Sequence, residues 1–287
     1  MRIIVLGSGT SHGIPVVGCA CTVCTSSDER DKRMRSSVYV EGRGGEKILI
    51  DAGPEFRLQA IRADINRLDG VFLTHAHADH IHGLDDLRPL SRDKPIPIYG
   101  NKQTISEMEE RFSYVFKKCS GKSQEGGGKP KLKPQIASEP VRIGGLTITP
   151  VPIKHGILDI LGWEIAEQAP AERAPAETTS MESFLYLTDV SEIPPASIAQ
   201  LNGGNSGKTR IVIIGGLRMR PHETHFTFEE ALTAAMTLQA KAIYLTHIAH
   251  SHSHVEAEEF CRVFRGKHCV SENIDIHPVQ DGLELIL

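Results

Sequence analysis

Aromatic side chains are scarce, at 5% of 287 residues with a single tryptophan. That leaves little material for a platform on which nucleic-acid bases stack. A surplus of positive charge is also missing. Lysines and arginines number 32 against 36 aspartates and glutamates, for a formal net charge of −4. No global basic field exists to hold a polyanion, although a local patch stays open. Apolar runs stay short of the roughly 18 residues that a membrane-spanning helix needs. The opening MRIIVLGSGTSHG has one basic residue and a glycine-broken apolar stretch. It reads as a first strand and turn, not as a signal peptide. The expectation is a cytoplasmic protein that makes no use of a membrane. A chain of this length buries enough surface to need no disulfide staples.

Histidine and clustered cysteine stand out against this plain background. There are 14 histidines, and three of the six cysteines crowd into C-A-C-T-V-C as Cys19, Cys21 and Cys24. Disulfides at that spacing are strained, and a cytosolic location disfavours them. Three incidental loop residues, or a redox pair of Cys21 and Cys24, are the bland alternatives. A metal site is the stronger reading, but three thiolates need a fourth ligand to close a tetrahedron round zinc. Nothing beside the cysteines supplies it, so it must be distant in sequence.

Strands are expected at 2–6, 36–41, 47–50, 71–73, 96–99, 141–143, 146–152, 160–166, 184–188, 211–214, 242–246, 274–279 and 283–287, from short β-branched or alternating runs. Helices are expected at 55–64, 101–116, 226–239 and about 254–264. The first would turn Phe56, Ala60, Ile61 and Ala63 inward. The second would carry a stripe of Ile105, Met108, Phe112 and Val115. Residues 7–35 form a long loop that a metal would keep ordered. Flexible insertions are expected at about 117–134, which is lysine- and glycine-rich, and at 168–180, which is proline- and alanine-rich. The order suggests two sheets packed together with helices outside, as one domain over 1–287. A dinucleotide fold is the rival. Its glycine fingerprint misses by one at Gly13, and no helix follows.

The strongest signal is Thr74-His75-Ala76-His77-Ala78-Asp79-His80. His75 and His77 point the same way on an extended segment, and Asp79 and His80 follow where the chain turns. Three further candidates end apolar strands: His155, Asp189 and His247. Singly each is as easily a turn residue; together they suit two metal ions. His75, His77 and His155 would hold one, and Asp79, His80 and His247 the other. Asp189 would bridge, because a carboxylate has two oxygens.

The H-x-H-x-D-H motif with its three later ligands resembles the metallo-β-lactamase fold hydrolases. The resemblance runs from the first strand through Asp51-Ala52-Gly53 to His247. It implies a four-layer αββα sandwich with two mixed sheets face to face. The segment GSGTSHGIP, the three cysteines and Thr246-His247-Ile248-Ala249-His250 are similar to the PhnP-like phosphodiesterase branch. That likeness implies a structural zinc on Cys19, Cys21, Cys24 and His250, and a proton-donating histidine placed at His225, with His222 as its neighbour. Two departures, the acidic turn Asp85-Asp86 and the two insertions, bear on the substrate.

The expected chemistry is hydrolysis of a small cyclic or nucleotide phosphodiester, with two divalent ions (zinc or manganese, or iron) activating the nucleophile. Asp51 would orient a ligand histidine from behind, or merely cap its turn. Arg218 and Arg220 would meet a phosphate with their guanidinium forks, or simply face solvent. Alternatives are an endoribonuclease that clamps structured RNA with the lysine stretch, a thioester or lactone hydrolase, and a zinc-binding structural protein. A nucleic-acid partner and a homodimer both stay open.

Overall fold

The computed structural model describes residues 1–117, 128–168, 181–203 and 209–287. Fourteen strands are formed among them: β1 (Arg2–Gly7), β2 (Ser37–Glu41), β3 (Lys47–Ile50), β4 (Gly70–Phe72), β5 (Ile96–Gly100), β6 (Leu132–Ile136), β7 (Val141–Ile143), β8 (Leu146–His155), β9 (Leu158–Gln168), β10 (Met181–Leu187), β11 (Thr209–Gly215), β12 (Ala242–Thr246), β13 (Asp275–Pro278) and β14 (Glu284–Ile286). They build two mixed sheets, in the orders β14-β1-β2-β3-β4-β5-β6 and β13-β12-β11-β10-β9-β8-β7. Helices α1 (Phe56–Arg62), α2 (Ala78–Ile81), α3 (Lys102–Arg111), α4 (Ser113–Phe116), α5 (Pro195–Asn202), α6 (Phe228–Met236) and α7 (His254–Lys267) connect them. None is long and apolar enough to cross a membrane.

Alternation along the strands explains the layers. Ile3, Val5, Val38, Val40, Ile48 and Ile50 face inward against Ile148, Trp163, Ile165, Phe184 and Tyr186 of the other sheet. Their neighbours Ile4, Leu6, Tyr39, Leu49 and Val71 point the other way, under α1 and α3. The outer face of the second sheet is covered from α6 and α7 by Phe228, Leu232, Ala257, Cys261 and Phe264. Both faces of each sheet are therefore apolar, which is what an αββα sandwich requires. Trp163 is fully buried and meets Phe72 edge-on at 5.0 Å. Each such buried ring contributes about 1.5–3 kcal/mol through its area. Capping boxes at Thr227/Glu230 and Ser253/Glu256 start α6 and α7, satisfying free N–H groups at both helix starts.

Some elements differ from the sequence reading. In α1 the buried residues are Phe56 and Gln59, while Ile61 is 64% exposed. Gln59 takes the inner face because its amide donates to the Arg35 carbonyl at 2.9 Å. The helix expected over 101–116 breaks at Phe112, which leaves α3 and the short α4. Of the two expected insertions, 118–127 and 169–180 lie outside the described residues. The end of the lysine stretch is not loop: Leu132–Ile136 forms β6, paired in parallel with β5. The short α5 has no counterpart in the sequence reading.

Candidate metal centre

One end of the sandwich collects the strand ends. Asp51 follows β3, His75 follows β4, His155 ends β8, Asp189 follows β10 and His247 follows β12. Asp51, Asp189 and His247 have φ values of 60°, 55° and 60°. That left-handed backbone is uncommon outside glycine, and such local strain concentrates at functional sites.

The side chains converge. The donor atoms of His75, His77 and His155 lie within 4.8 Å of one another, as do those of His75, His80 and Asp189. His75 Nε2 is 2.9 Å from His77 Nδ1. His80 Nε2 is 3.1 Å from Asp79 Oδ2 and 3.2 Å from Asp189 Oδ2. The other oxygen of Asp189 is 3.2 Å from His247 Nε2. Ligand atoms about 2.0–2.2 Å from a shared ion stand roughly 3.0–3.5 Å apart, so these spacings suit a coordination shell. His80 Nε2 is buried and makes no hydrogen bond. A buried nitrogen that makes no hydrogen bond and faces two carboxylates fits a cation there. Asp189 reaches both histidine groups, as a bridging ligand would.

The far nitrogens are held in turn. His80 Nδ1 lies 2.7 Å from Asp51 Oδ2. Asp51 also accepts from the Thr74 N–H and the Thr74 hydroxyl, both at 2.8 Å. It is therefore more than a turn cap. His155 Nδ1 is 2.8 Å from the Thr224 carbonyl, and His247 Nδ1 is 3.2 Å from Ser36 Oγ. Ser36 already donates to the Gly9 carbonyl at 2.9 Å, so it accepts from His247. His75 Nδ1 is 3.0 Å from Thr74 Oγ1, whose own proton goes to Asp51. Each arrangement puts the proton on Nδ1 and leaves Nε2 basic toward the centre.

The electrostatics agree. Burial holds His75 well below its ordinary range, and lowers His77 and His247. Burial also opposes charge on His80, yet Asp79, Asp189 and Asp51 together drive it well above that range. The carboxylates around His80 thus favour a positive charge at this spot.

His225 stands over this group. Its ring is 4.6 Å from His155 and stacks on His247 at 5.0 Å. Its donor atoms cluster with those of His155 and Asp189. Burial, then His247, lowers it to about 3, so it is neutral in the free protein. His222 is exposed, with its ring 5.1 Å from that of His225. Arg218 directs Nε and Nη2 to the carbonyls of Arg220 and Pro221, which staples its own loop. Arg220 is exposed.

A second cluster lies in the 7–35 loop. The Sγ atoms of Cys19, Cys21 and Cys24 each sit 3.5 Å from His250 Nδ1. Zinc–sulfur bonds of about 2.3 Å and a zinc–nitrogen bond of about 2.0 Å give a tetrahedral edge of roughly 3.5 Å. The Cys24 N–H, then His250, lowers Cys21 to about 6, while burial pushes Cys24 up to about 11.

The hydroxyls of Thr74 and Ser36 had escaped sequence reasoning. One signal was available. Leu-Thr precedes a site residue three times, at Leu73-Thr74-His75, Leu187-Thr188-Asp189 and Leu245-Thr246-His247. Thr188 donates to Asp189 Oδ2 at 2.8 Å.

Residues 46–248 match the family model of the beta-lactamase superfamily domain. An octanoyltransferase of Porphyromonas gingivalis is 36% identical over all of this chain, which spans 52% of that relative. The chain spans about half the length, or less, of the curated relatives it matches. Among solved structures, a diphosphatase from the PhnP family is 34% identical, with coverage of 100% of this chain and 97% of that one and a TM-score of 0.77. Zinc-bound PqqB from Methylobacterium extorquens is 17% identical with full coverage of both chains and a TM-score of 0.72, a likeness of fold. A family match of this extent spans every strand end of the centre, and the chain belongs to the metallo-β-lactamase fold hydrolase superfamily.

Proposed function

We propose that the protein is a binuclear metal-dependent hydrolase of small phosphoric diesters or diphosphates. The observation that carries this reading is Asp189, whose carboxylate lies within 4.8 Å of donor atoms of His75 and of His155 in one ligand group and 3.2 Å from both His80 and His247 in the other. His75, His77, His155 and Asp189 would hold one ion, and Asp79, His80, His247 and Asp189 the other. When bound, two divalent ions supply a nucleophile near neutral pH and neutralise charge developing on the phosphoryl oxygens. Zinc, manganese and iron all suit this donor set. Cys19, Cys21, Cys24 and His250 would hold a structural zinc. Thiolates reserved for a metal suit a reducing compartment, so a cytoplasmic location belongs to this reading.

The chain's own residues do the rest. Asp51, Thr74, Ser36 and the Thr224 carbonyl fix the tautomers of the ligand histidines. His225 Nδ1 is 4.0 Å from Asp189 Oδ1, beyond hydrogen-bond range. Its proton is therefore available to a leaving oxygen. Its low basicity is overcome when an anionic substrate brings negative charge beside the ring. The diphosphatase relative, alike over nearly its whole length, supports a phosphoryl substrate.

A second reading, hydrolysis of an acyl thioester, is favoured by the octanoyltransferase relative. Protein loaded with zinc or with manganese should be assayed on bis(p-nitrophenyl) phosphate, cyclic nucleotides, dinucleoside diphosphates and acyl thioesters. Turnover of a phosphodiester or diphosphate, abolished by chelation, is the expected result. Activity confined to the thioesters overturns the proposal in favour of the second reading.

A further inference from the structure

Asp281 lies in the turn between β13 and β14, far from the metal centre in sequence. Its two oxygens bind two different segments. Oδ1 accepts from the Ser8 N–H at 2.8 Å and from the Ser8 hydroxyl at 2.7 Å. Oδ2 accepts from the Met34 N–H at 2.7 Å. No ion pair among the described residues neutralises this carboxylate, and burial pushes it up to about 6. Three donors nonetheless converge on it.

The placement of those donors is informative. Met34 is two residues before Ser36, and Ser8 directly precedes Gly9, whose carbonyl accepts from Ser36 at 2.9 Å. Ser36 Oγ is in turn 3.2 Å from His247 Nδ1. Fixing Ser8 and Met34 therefore fixes the backbone on both sides of Ser36. The segments are also laced to each other and to the histidine. Gly9 N–H donates to the Met34 carbonyl at 2.8 Å, and Ile248 N–H donates to the Ser8 carbonyl at 3.1 Å. Ser36 donates to the Gly9 carbonyl, which frees its lone pair for His247.

We infer that Asp281 is a positioning residue for the metal centre: it clamps Ser8 to Met34 so that Ser36 holds His247 in its ligating orientation. Acceptors two bonds removed from a ligand act on the ligand's orientation and basicity. An asparagine here would keep one acceptor oxygen and turn an N–H₂ toward a backbone N–H. The clamp would then open on one side. The inference rests on the metal reading of the site.

The test compares wild type, Asp281→Asn, Ser36→Ala and the double variant, each titrated with zinc or manganese against a competing chelator. Wild type should bind two ions beyond the cysteine-site zinc. Asp281→Asn should bind one of those two about tenfold more weakly, the low end for losing an outer hydrogen-bond partner. The other ion and the cysteine-site zinc should keep their affinities. The double variant should lose little more than the worse single one, because both changes act through His247. A lower melting temperature with every affinity retained would reduce Asp281 to a structural role and overturn the inference, as would additive losses. Should Asp281→Asn fail to fold, Ser8→Ala removes one of the three bonds and should weaken the same ion by a smaller factor; no change overturns the inference. Wild type that binds only the cysteine-site zinc refutes the metal reading itself, a different outcome from the other failures.

Discussion

At the scale of single residues, this site separates groups that hold from groups that act. His75, His80, His155 and His247 each have Nδ1 beside a fixed partner and Nε2 toward the centre. His225 has no such arrangement among the described residues, and the Asp189 carboxylate stands 4.0 Å from its Nδ1. His225→Ala should therefore leave folding and metal content intact. It should lower kcat by about 10²–10⁴-fold for a substrate with a poor leaving group, the usual worth of a placed proton donor. An activated p-nitrophenolate needs no proton, so the loss should shrink on that substrate. Equal losses on both would make His225 a positioning group, and release of an ion would make it a ligand beside His155 and Asp189. The histidines and aspartates were legible in sequence because four of them fall within His75–His80 and few packing roles need that. Ser36 and Thr74 were not. Hydroxyl residues are common on strands, and the partner of Ser36 is 211 residues away.

At the scale of elements, the centre depends on how closely two turns approach. The turn after β3 and the end of α2 share backbone hydrogen bonds: Ala52 N–H to the His80 carbonyl at 2.7 Å, and Gly83 N–H to the Ala52 carbonyl at 2.8 Å. A Cβ on Gly83 would stand 2.0 Å from the Gly53 carbonyl oxygen, and one on Gly53 would stand 2.2 Å from that of Asp79. Backbone cannot give way there without carrying ligands with it. Gly83→Ala should cost about 1–3 kcal/mol or more, the range for overpacked sites. It should also weaken metal binding, since Asp51, Asp79 and His80 all ride on the two turns. Calorimetric unfolding and metal titration together check this, and a stable variant with full metal affinity would contradict it. Element type was readable wherever period and length agreed, as in the β2–β3 hairpin and α7. It failed where a local contact outweighed the pattern. Gln59 displaced Ile61 from the face of α1 through one bond to Arg35. At Phe112 the expected buried stripe holds, but the backbone leaves the helix there, with φ −101° and ψ 36°.

At the scale of the whole molecule, the two candidate metal clusters share one short segment, with His247 in one and His250 in the other. The cysteine loop nevertheless has its own small core. Ile14, Val23 and Cys24 are its buried apolar residues, and they form a cluster separate from the sandwich interior. Between β1 and β2 the only regular element is the short turn Glu29–Asp31. So little apolar burial cannot order a loop of that length against its conformational entropy. Arg33 adds a bolt, donating to the His252 carbonyl at 3.0 Å, but it is a buried charge and itself needs the fold around it. A zinc on the four ligands would then supply the main term, which in small zinc domains is worth about 10–16 kcal/mol. Cys21→Ser removes one thiolate and should release one zinc per chain. The three large cores of the sandwich do not rest on this loop, so the loss should be local. Limited proteolysis should cut within residues 11–32 while the sandwich resists, and the main thermal transition should persist at a lower temperature. Activity should fall by less than the zinc loss suggests, because His247 keeps its Ser36 partner even when His250 is free. An unchanged zinc content would remove the structural-site assignment. Global unfolding of Cys21→Ser would show instead that the loop and the sandwich fold as one unit.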